Sequence, residues 1–455
     1  MRKRRNAVTT ISAKRALLPD GWMAKVRLTI EAGRIASVQT NAAPEAADEI
    51  HDILLPGMGN LHSHAFQRAM AGLAETRGPG DDSFWSWRNV MYRFALSMTP
   101  EQVEAVAAKL YSEMLEAGFT RVGEFHYLHH DQDGSHYADI GEMAARIAAA
   151  TDETGIGLTL LPVFYAHSGF GGLEPAEGQR RFINDLDSFG RLFDACRGAV
   201  TSLDGALVGV APHSLRAVTP EQLLAVAGLA PDAPVHIHIA EQVKEVEDCI
   251  AWLGARPVEW LLDHAGVSDR WCMIHATHMS GEEARAMAQT GAVAGLCPIT
   301  EANLGDGTFP ALPFMAASGA WGVGSDSNIL IGVADELRQF EYSQRLNHRA
   351  RNVVAEPNAS TGRQLFDSAL AGGARALGVS SGIAVGQAAD LVSLTPRDVD
   401  LPDDRLLDRW IFADGADIDC VWVRGAKRVS AGRHAKRDQI DIRFRTVMRQ
   451  LLDAA

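Results

Sequence analysis

Two histidines one residue apart, His62 and His64, stand at the end of an apolar run that contains Pro56-Gly57. On an extended strand, side chains two apart share a face, so this pair can present two imidazoles to one point. The segment Val235-His236-Ile237-His238-Ile239 repeats the alternation and is followed by Ala240 and Glu241. His275 and His278 follow a further apolar run, and Asp326 follows the run that ends in Gly324. Three imidazoles and a carboxylate buried together without a cation would leave polar atoms unpaired. A divalent transition metal satisfies them all and keeps one position open for water.

Groups so far apart in the chain need a framework that brings strand ends to one place. Eight short apolar runs alternate with Ala-, Leu- and Glu-rich stretches of helical period: Ile53 to Leu61, Thr120 to Phe125, Gly157 to Tyr165, Leu207 to Ala211, Val235 to Ile239, Trp271 to Ile274, Ala292 to Leu296 and Trp321 to Gly324. This is the pattern of repeated βα units on a parallel sheet, and eight of them predict an α/β chain built on a closed (β/α)8 TIM barrel. In such a barrel the C-terminal strand ends and their loops converge on one mouth, which is where the histidines and carboxylates fall. Helices over Pro100 to Ala117 and Pro220 to Ala227 each open with Thr-Pro-Glu, an N-cap followed by proline at the first helical position.

The two ends of the chain have a different texture. Ala24 to Thr29 and Arg34 to Gln39 near the start, and Gly386 to Leu394 and Asp419 to Val423 near the finish, read as β-strands set off by turns. The expected organisation is a small discontinuous β-sandwich domain from residues 1–56 and 383–430, a barrel over 57–382 and a C-terminal helical segment over 431–455.

With 43 Lys+Arg against 57 Asp+Glu the formal charge is −14, which argues against a nucleic acid or an anionic membrane as main partner. No apolar stretch is long enough for a membrane span, and the basic leader Met1 to Arg5 runs into polar residues, so a cytoplasmic enzyme acting on a small molecule is expected. Cys196, Cys249, Cys272, Cys297 and Cys420 are scattered without metal-type spacing and read as reduced, buried apolar residues.

His62-Ser63-His64, His238 with Glu241, His275 and Asp326 resemble the metal-dependent amidohydrolase superfamily in its deaminase branch, over nearly the whole chain. Longer words narrow the likeness to the formimidoylglutamate deiminases: Asn60 to Glu75 (NLHSHAFQRAMAGLAE), Ser83 to Arg88 (SFWSWR), Glu124 to Tyr127 (EFHY), Ala211 to Arg216 (APHSLR) and Leu296 to Gly307 (LCPITEANLGDG). The resemblance implies one Zn2+ per subunit, with Fe2+ also compatible, held by His62, His64, His238 and Asp326. A single ion is implied because the fourth strand, Leu207 to Ala211, carries no bridging lysine. Asp326 and Glu241 are implied to move protons and His275 to donate to the developing oxyanion. The implied product is an N-formyl compound with ammonia, in a homodimeric enzyme of histidine breakdown.

A dicarboxylate amidine substrate needs fixed cations, most naturally a planar guanidinium for each carboxylate. Arg88 and Arg216 match positions where the family binds substrate, as do Gln67, Tyr127 and His213, although either arginine alone could be an ordinary surface residue. His278 competes with His275 for the place facing the ion, and Trp85 and Trp87 fit either a lid or a hydrophobic anchor. His126, His129, His130, His136, His167 and His236 are expected to be structural or supporting. Two other readings keep some of these features. One is a deaminase of a cyclic substrate such as guanine or an adenosine derivative, and the other an inactive barrel that binds ligands. Which C–N bond breaks has no basis in the residues themselves and rests on the likeness.

Overall fold

The computed structural model describes residues 8–78, 83–399, 401 and 403–453, so the leader Met1 to Arg5 lies outside the described residues. Eight parallel barrel strands run in chain order: Met58–Ser63, Phe119–His126, Gly157–Phe164, Leu207–Val208, Val235–Ile239, Trp271–His275, Val293–Leu296 and Ala320–Val323. Every residue of Phe119–His126 and Val235–Ile239 is buried, as a parallel strand covered on both faces requires.

Two of the expected strands are broken. The run read as Ile53 to Leu61 divides at Gly57 into Glu49–Pro56, which pairs in another sheet, and the barrel strand Met58–Ser63. Proline cannot donate to a ladder, so the chain changes sheets there without losing a bond. The fourth strand also falls into two pieces, Leu207–Val208 and Ala211–Pro212, both paired with the third strand.

Closure happens where the polar residues lie. Ser63 bridges Asp326 between first and eighth strands, and Ser214 bridges His238 between fourth and fifth. Gly324 permits the first of these contacts: a Cβ there would stand 2.7 Å from the His62 nitrogen and 2.8 Å from its Cβ. Helices pack around the barrel with the expected caps. Thr99 accepts from the Gln102 N–H (3.3 Å) while the Gln102 side chain accepts from the Thr99 N–H (3.0 Å), and Thr219 pairs with Gln222 in the same way.

The chain ends form one eight-stranded sheet in the order Arg433–His434, Ala426–Ser430, Ala416–Val423, Leu391–Pro396, Glu49–Pro56, Thr9–Leu18, Gly21–Glu31, Arg34–Gln39. The expected sandwich takes the form of this single sheet folded over. A bridge from Arg34 to Ala388 returns its far edge to the middle, and Ile11, Val26, Leu28, Leu54, Leu391 and Trp422 make a second core. The sheet continues past 430 through His434, so the last helix, Arg437–Asp453, starts only after it. That helix lies against Pro100–Glu116, with Lys109 Nζ 2.9 Å from Asp441.

Candidate active site

The first and eighth strands exchange backbone hydrogen bonds across the barrel mouth: His64 N–H donates to the Asp326 carbonyl and Asp326 N–H to the His62 carbonyl, each at 3.0 Å. Side chains at this seam therefore meet. Nε2 of His62 lies 3.0 Å from Nε2 of His238, and Asp326 Oδ1 lies 3.3 Å from His62 Nε2 and 3.1 Å from His64 Nε2. One donor atom from each of His62, His64, His238 and Asp326 falls within 4.8 Å of all the others, and all four residues are buried.

This donor set fits a divalent ion. Burial pushes His62 down to about 3 and His238 well below the usual histidine range, so both rings are neutral, the form that ligates. Burial opposes charge on Asp326 too, but His62 and His64 hold it well below the carboxylate range. His64 donates from Nδ1 to the Phe125 carbonyl (3.0 Å), leaving the Nε2 lone pair toward the cluster. Without a cation, these nitrogens and the carboxylate compete for the same few protons; one ion satisfies all four lone pairs. Asn60, Ser325 and Asn328 brace the seam: the Asn60 amide donates to Ser325 Oγ (2.6 Å), Ser325 Oγ donates to Asn328 Oδ1 (2.6 Å), and the Asn328 amide donates to the His64 carbonyl (3.0 Å).

Beside the cluster stand an acid and a base. Glu241 Oε1 and Asp326 Oδ2 lie 3.8 and 3.9 Å from the same atom, His275 Nε2. Burial raises the Glu241 carboxyl to about 7, the range in which a carboxylate gives and takes protons at neutrality. Burial works against charge on His275, yet Glu241, Glu301 and Asp326 together hold it up at about 10, and a divalent ion nearby would lower it again. Its Nδ1–H donates to Glu301 (3.3 Å), which turns Nε2 toward the cavity. Glu245 fixes the Glu241 turn by accepting from the backbone N–H groups of Ala240 (3.0 Å) and Glu241 (3.3 Å). Ala240, His275 and Asp326 have φ of +50°, +67° and +45°, left-handed backbone that non-glycine residues hold at a cost of about 1–3 kcal/mol each.

A cavity opens above these groups, with His64, His238, Glu241, His275 and Asp326 at its floor and Gln67, Arg88, Tyr127, His213 and Arg216 around them. Every residue assigned to substrate binding from the sequence thus borders one space, while His62 lies fully buried beneath it. Arg216 is buried, and its Nε and Nη1 have no partner among the described residues. The Trp85 ring receives both guanidinium groups, with Arg88 at 4.6 Å and Arg216 at 5.7 Å from its centroid. Gln67 donates to the Tyr127 hydroxyl (2.7 Å), and burial with Arg216 and His64 nearby keeps His213 neutral.

Residues 53–427 match the amidohydrolase family, and residues 8–52 match the N-terminal domain of formimidoylglutamate deiminase HutF. The chain belongs to the amidohydrolase family. A formimidoylglutamate deiminase of Pseudomonas aeruginosa is 51% identical over 98% of this chain and 100% of its own length. The crystal structure of an amidohydrolase from Brucella melitensis superposes with a TM-score of 0.96 at 62% identity, covering 98% of this chain and 100% of that one. An adenosine deaminase of Xanthomonas campestris with bound zinc, 22% identical over 98% of each chain at a TM-score of 0.79, has the same fold.

In this amidohydrolase, His275 borders the cavity and His278 does not; the His278 backbone N–H is tied to the Ala240 carbonyl (3.0 Å). His129, His130 and His236 each bond a backbone carbonyl through Nε2, at 2.9, 2.9 and 2.8 Å, and none of them lines the cavity. The helix Phe84–Ser97 contributes Phe84, Trp87, Arg88, Met91 and Tyr92 to the lining, so its aromatic start does more than anchor a loop. All five cysteines are buried, and burial pushes the thiols up, as for inert apolar residues. Glu301, Glu245, Tyr165 and Tyr92 were not singled out in the sequence. Glu301 stands inside one of the quoted words, but its value depends on a turn that brings it to His275. No helix among the described residues is long and apolar enough to cross a membrane.

Proposed function

We propose that this chain is a zinc-dependent deiminase that hydrolyses N-formimidoyl-L-glutamate to N-formyl-L-glutamate and ammonia. The observation that carries the reading is one cavity with two guanidinium groups, Arg88 and Arg216, opening on a buried three-imidazole, one-carboxylate cluster beside Glu241. Two carboxylates on the substrate answer the two cations, and the amidine then extends toward Glu241 and His275. A guanine or adenosine ring offers only neutral acceptors and no carboxylate to answer the two guanidinium charges, so the cyclic alternative is disfavoured. Full-length likeness to the Pseudomonas deiminase supports the choice of the C–NH2 bond.

His62, His64, His238 and Asp326 would hold the ion, and three nitrogens with one oxygen suit Zn2+. Bound there, zinc supplies a lowered water pKa and Lewis acidity toward the substrate. The protein's own groups handle the protons. Asp326, kept ionised by its histidines, accepts the first one. His275 donates from Nε2 to the oxygen on which negative charge develops. Glu241, poised near 7, passes a proton to the departing nitrogen so that it leaves as ammonia. Arg88 and Arg216, with Gln67, Tyr127 and His213, hold the dicarboxylate in register.

The same reading includes a homodimer in the cytoplasm, which light scattering and cell fractionation test. The decisive experiment for the activity is incubation of purified, metal-analysed protein with N-formimidoyl-L-glutamate. Equal release of ammonia and N-formylglutamate is expected, and formamide without ammonia would overturn the assignment.

A further inference from the structure

Tyr165 follows the third barrel strand and is almost wholly buried, with its ring 4.4 Å from that of His213 and its surface on the cavity. Its hydroxyl accepts a hydrogen bond from Gln179 Nε2 at 2.8 Å. The Gln179 amide cannot be turned round, because its Oε1 already accepts from the Ala176 N–H at 2.8 Å. Gln179 is therefore a donor to Tyr165, and the tyrosine must send its own proton elsewhere. Among the described residues the Tyr165 hydroxyl donates no hydrogen bond, although the Tyr92 hydroxyl lies on the same cavity. A neighbouring pair, Gln67 and Tyr127, lacks this constraint, since Gln67 Oε1 has no partner and the Tyr127 hydroxyl reaches Met91 Sδ at 3.9 Å.

We propose that Tyr165 is a specificity-determining donor to a substrate carboxylate, with Gln179 as the positioning residue that directs its proton into the cavity. With one lone pair already engaged by Gln179, the hydroxyl has its proton free to offer, and a carboxylate acceptor answers it better than the amidine, which is itself a donor. Arg216, buried on the same cavity with Nε and Nη1 unpartnered, needs an acceptor as well. Arginine and tyrosine together make a seat for one carboxylate, and they reject a substrate that lacks it, because its absence leaves buried donors unpaired. This assignment deepens the deiminase reading and rests on it for the identity of the substrate, but the seat itself is testable without turnover.

The test uses the zinc-loaded full chain, Tyr165→Phe and Gln179→Glu, with glutarate binding by calorimetry and turnover of N-formimidoyl-L-glutamate and of two analogues, each lacking one carboxylate. Tyr165→Phe should weaken glutarate binding and raise KM about ten-fold or more, the scale of a hydrogen bond to a charged group. That penalty should disappear for one analogue and persist for the other. Gln179→Glu keeps the phenol but offers it an acceptor, so its proton turns away from the cavity and the variant should reproduce the Tyr165→Phe pattern. Melting temperatures of both variants identify a folding defect, and the comparison of the two analogues remains diagnostic even in a destabilised variant. Unchanged glutarate affinity in Tyr165→Phe, or an equal loss on both analogues, would overturn the proposal. A wild-type enzyme that binds glutarate through Tyr165 but releases no ammonia would instead refute the deiminase reading and leave the carboxylate seat standing.

Discussion

Replacing Glu241 by Gln should move activity and stability in opposite directions. The change keeps shape and removes the ionisable group that stands 3.8 Å from His275 Nε2. Loss of a positioned acid–base group costs about 10²- to 10⁴-fold in kcat, which is about 3–5 kcal/mol of barrier. Glu241 is also a buried carboxyl carried from its ordinary 4.5 to about 7, which corresponds to about 3 kcal/mol against its ionised form. Because the folded protein holds this proton more tightly than the unfolded chain, stability falls as pH rises from 4.5 to about 7, and the penalty is complete above 7. Glutamine carries no such penalty, so with the metal removed, where no cation lowers the carboxyl's pKa, the variant should melt higher than wild type at about pH 8 and much less so at about pH 5. Zinc content should be unchanged, since Glu241 is outside the four-residue cluster. Ammonia release, metal analysis and thermal unfolding of the metal-free protein at the two pH values check all three statements. Near-native turnover, loss of zinc, or lower stability at the higher pH would each refute the reasoning.

Arg88→Met and Arg216→Met should each raise KM by about 10- to 100-fold, from the loss of a charged hydrogen bond worth about 1.5–3 kcal/mol, and progress curves over a range of substrate concentrations measure it. His275→Ala should abolish turnover while His278→Ala stays within a few-fold of wild type, with zinc retained in both; a dead His278 variant beside an active His275 variant would reverse the assignment. Chelation should remove activity and lower the melting temperature together, and added Zn2+ should restore both, because the ligands come from three strand ends that the ion ties together. Gly324→Ala should cost about 1–3 kcal/mol of stability and reduce zinc affinity, since its Cβ would press on His62; denaturant unfolding and metal titration read the two effects.

Much of the centre was legible because its residues obey the strand period. His62 and His64 share a face for the same reason that any i, i+2 pair does, and His238 comes at the end of a five-residue strand whose bounds the apolar run gives directly. The barrel was legible because apolar runs alternated with capped helices, as Thr99 with Gln102 and Thr219 with Gln222 illustrate. Where the period failed, so did the reading. Ile53 to Leu61 is one apolar run, but Pro56-Gly57 sends its halves to different sheets, and no hydrophobic pattern distinguishes one buried strand from two placed end to end. The fourth strand contributes only two short pieces to the ladder, although its residues look continuous.

What composition and spacing could not supply are the turns after the strands. Ala240, His275, Ala276, Asp326 and Asn328 all have positive φ, and none is a glycine that would announce it. These turns aim the acid–base groups, and they are held by side-chain acceptors a few to some twenty-six residues away or by a backbone clamp. Glu245 accepts from the Ala240 and Glu241 N–H groups, Glu301 takes the His275 Nδ1–H, and Asp326 exchanges backbone bonds with the first strand. Strain of about 1–3 kcal/mol per residue persists only where the surroundings overdetermine it, and the barrel closure at Ser63–Asp326 and Ser214–His238 does so here. The contacts that close the barrel are therefore the ones that set the ligand geometry. Selection for a working site and selection for a closed barrel act on the same few residues, which is why the ligands were easy to find and the groups that aim them were not.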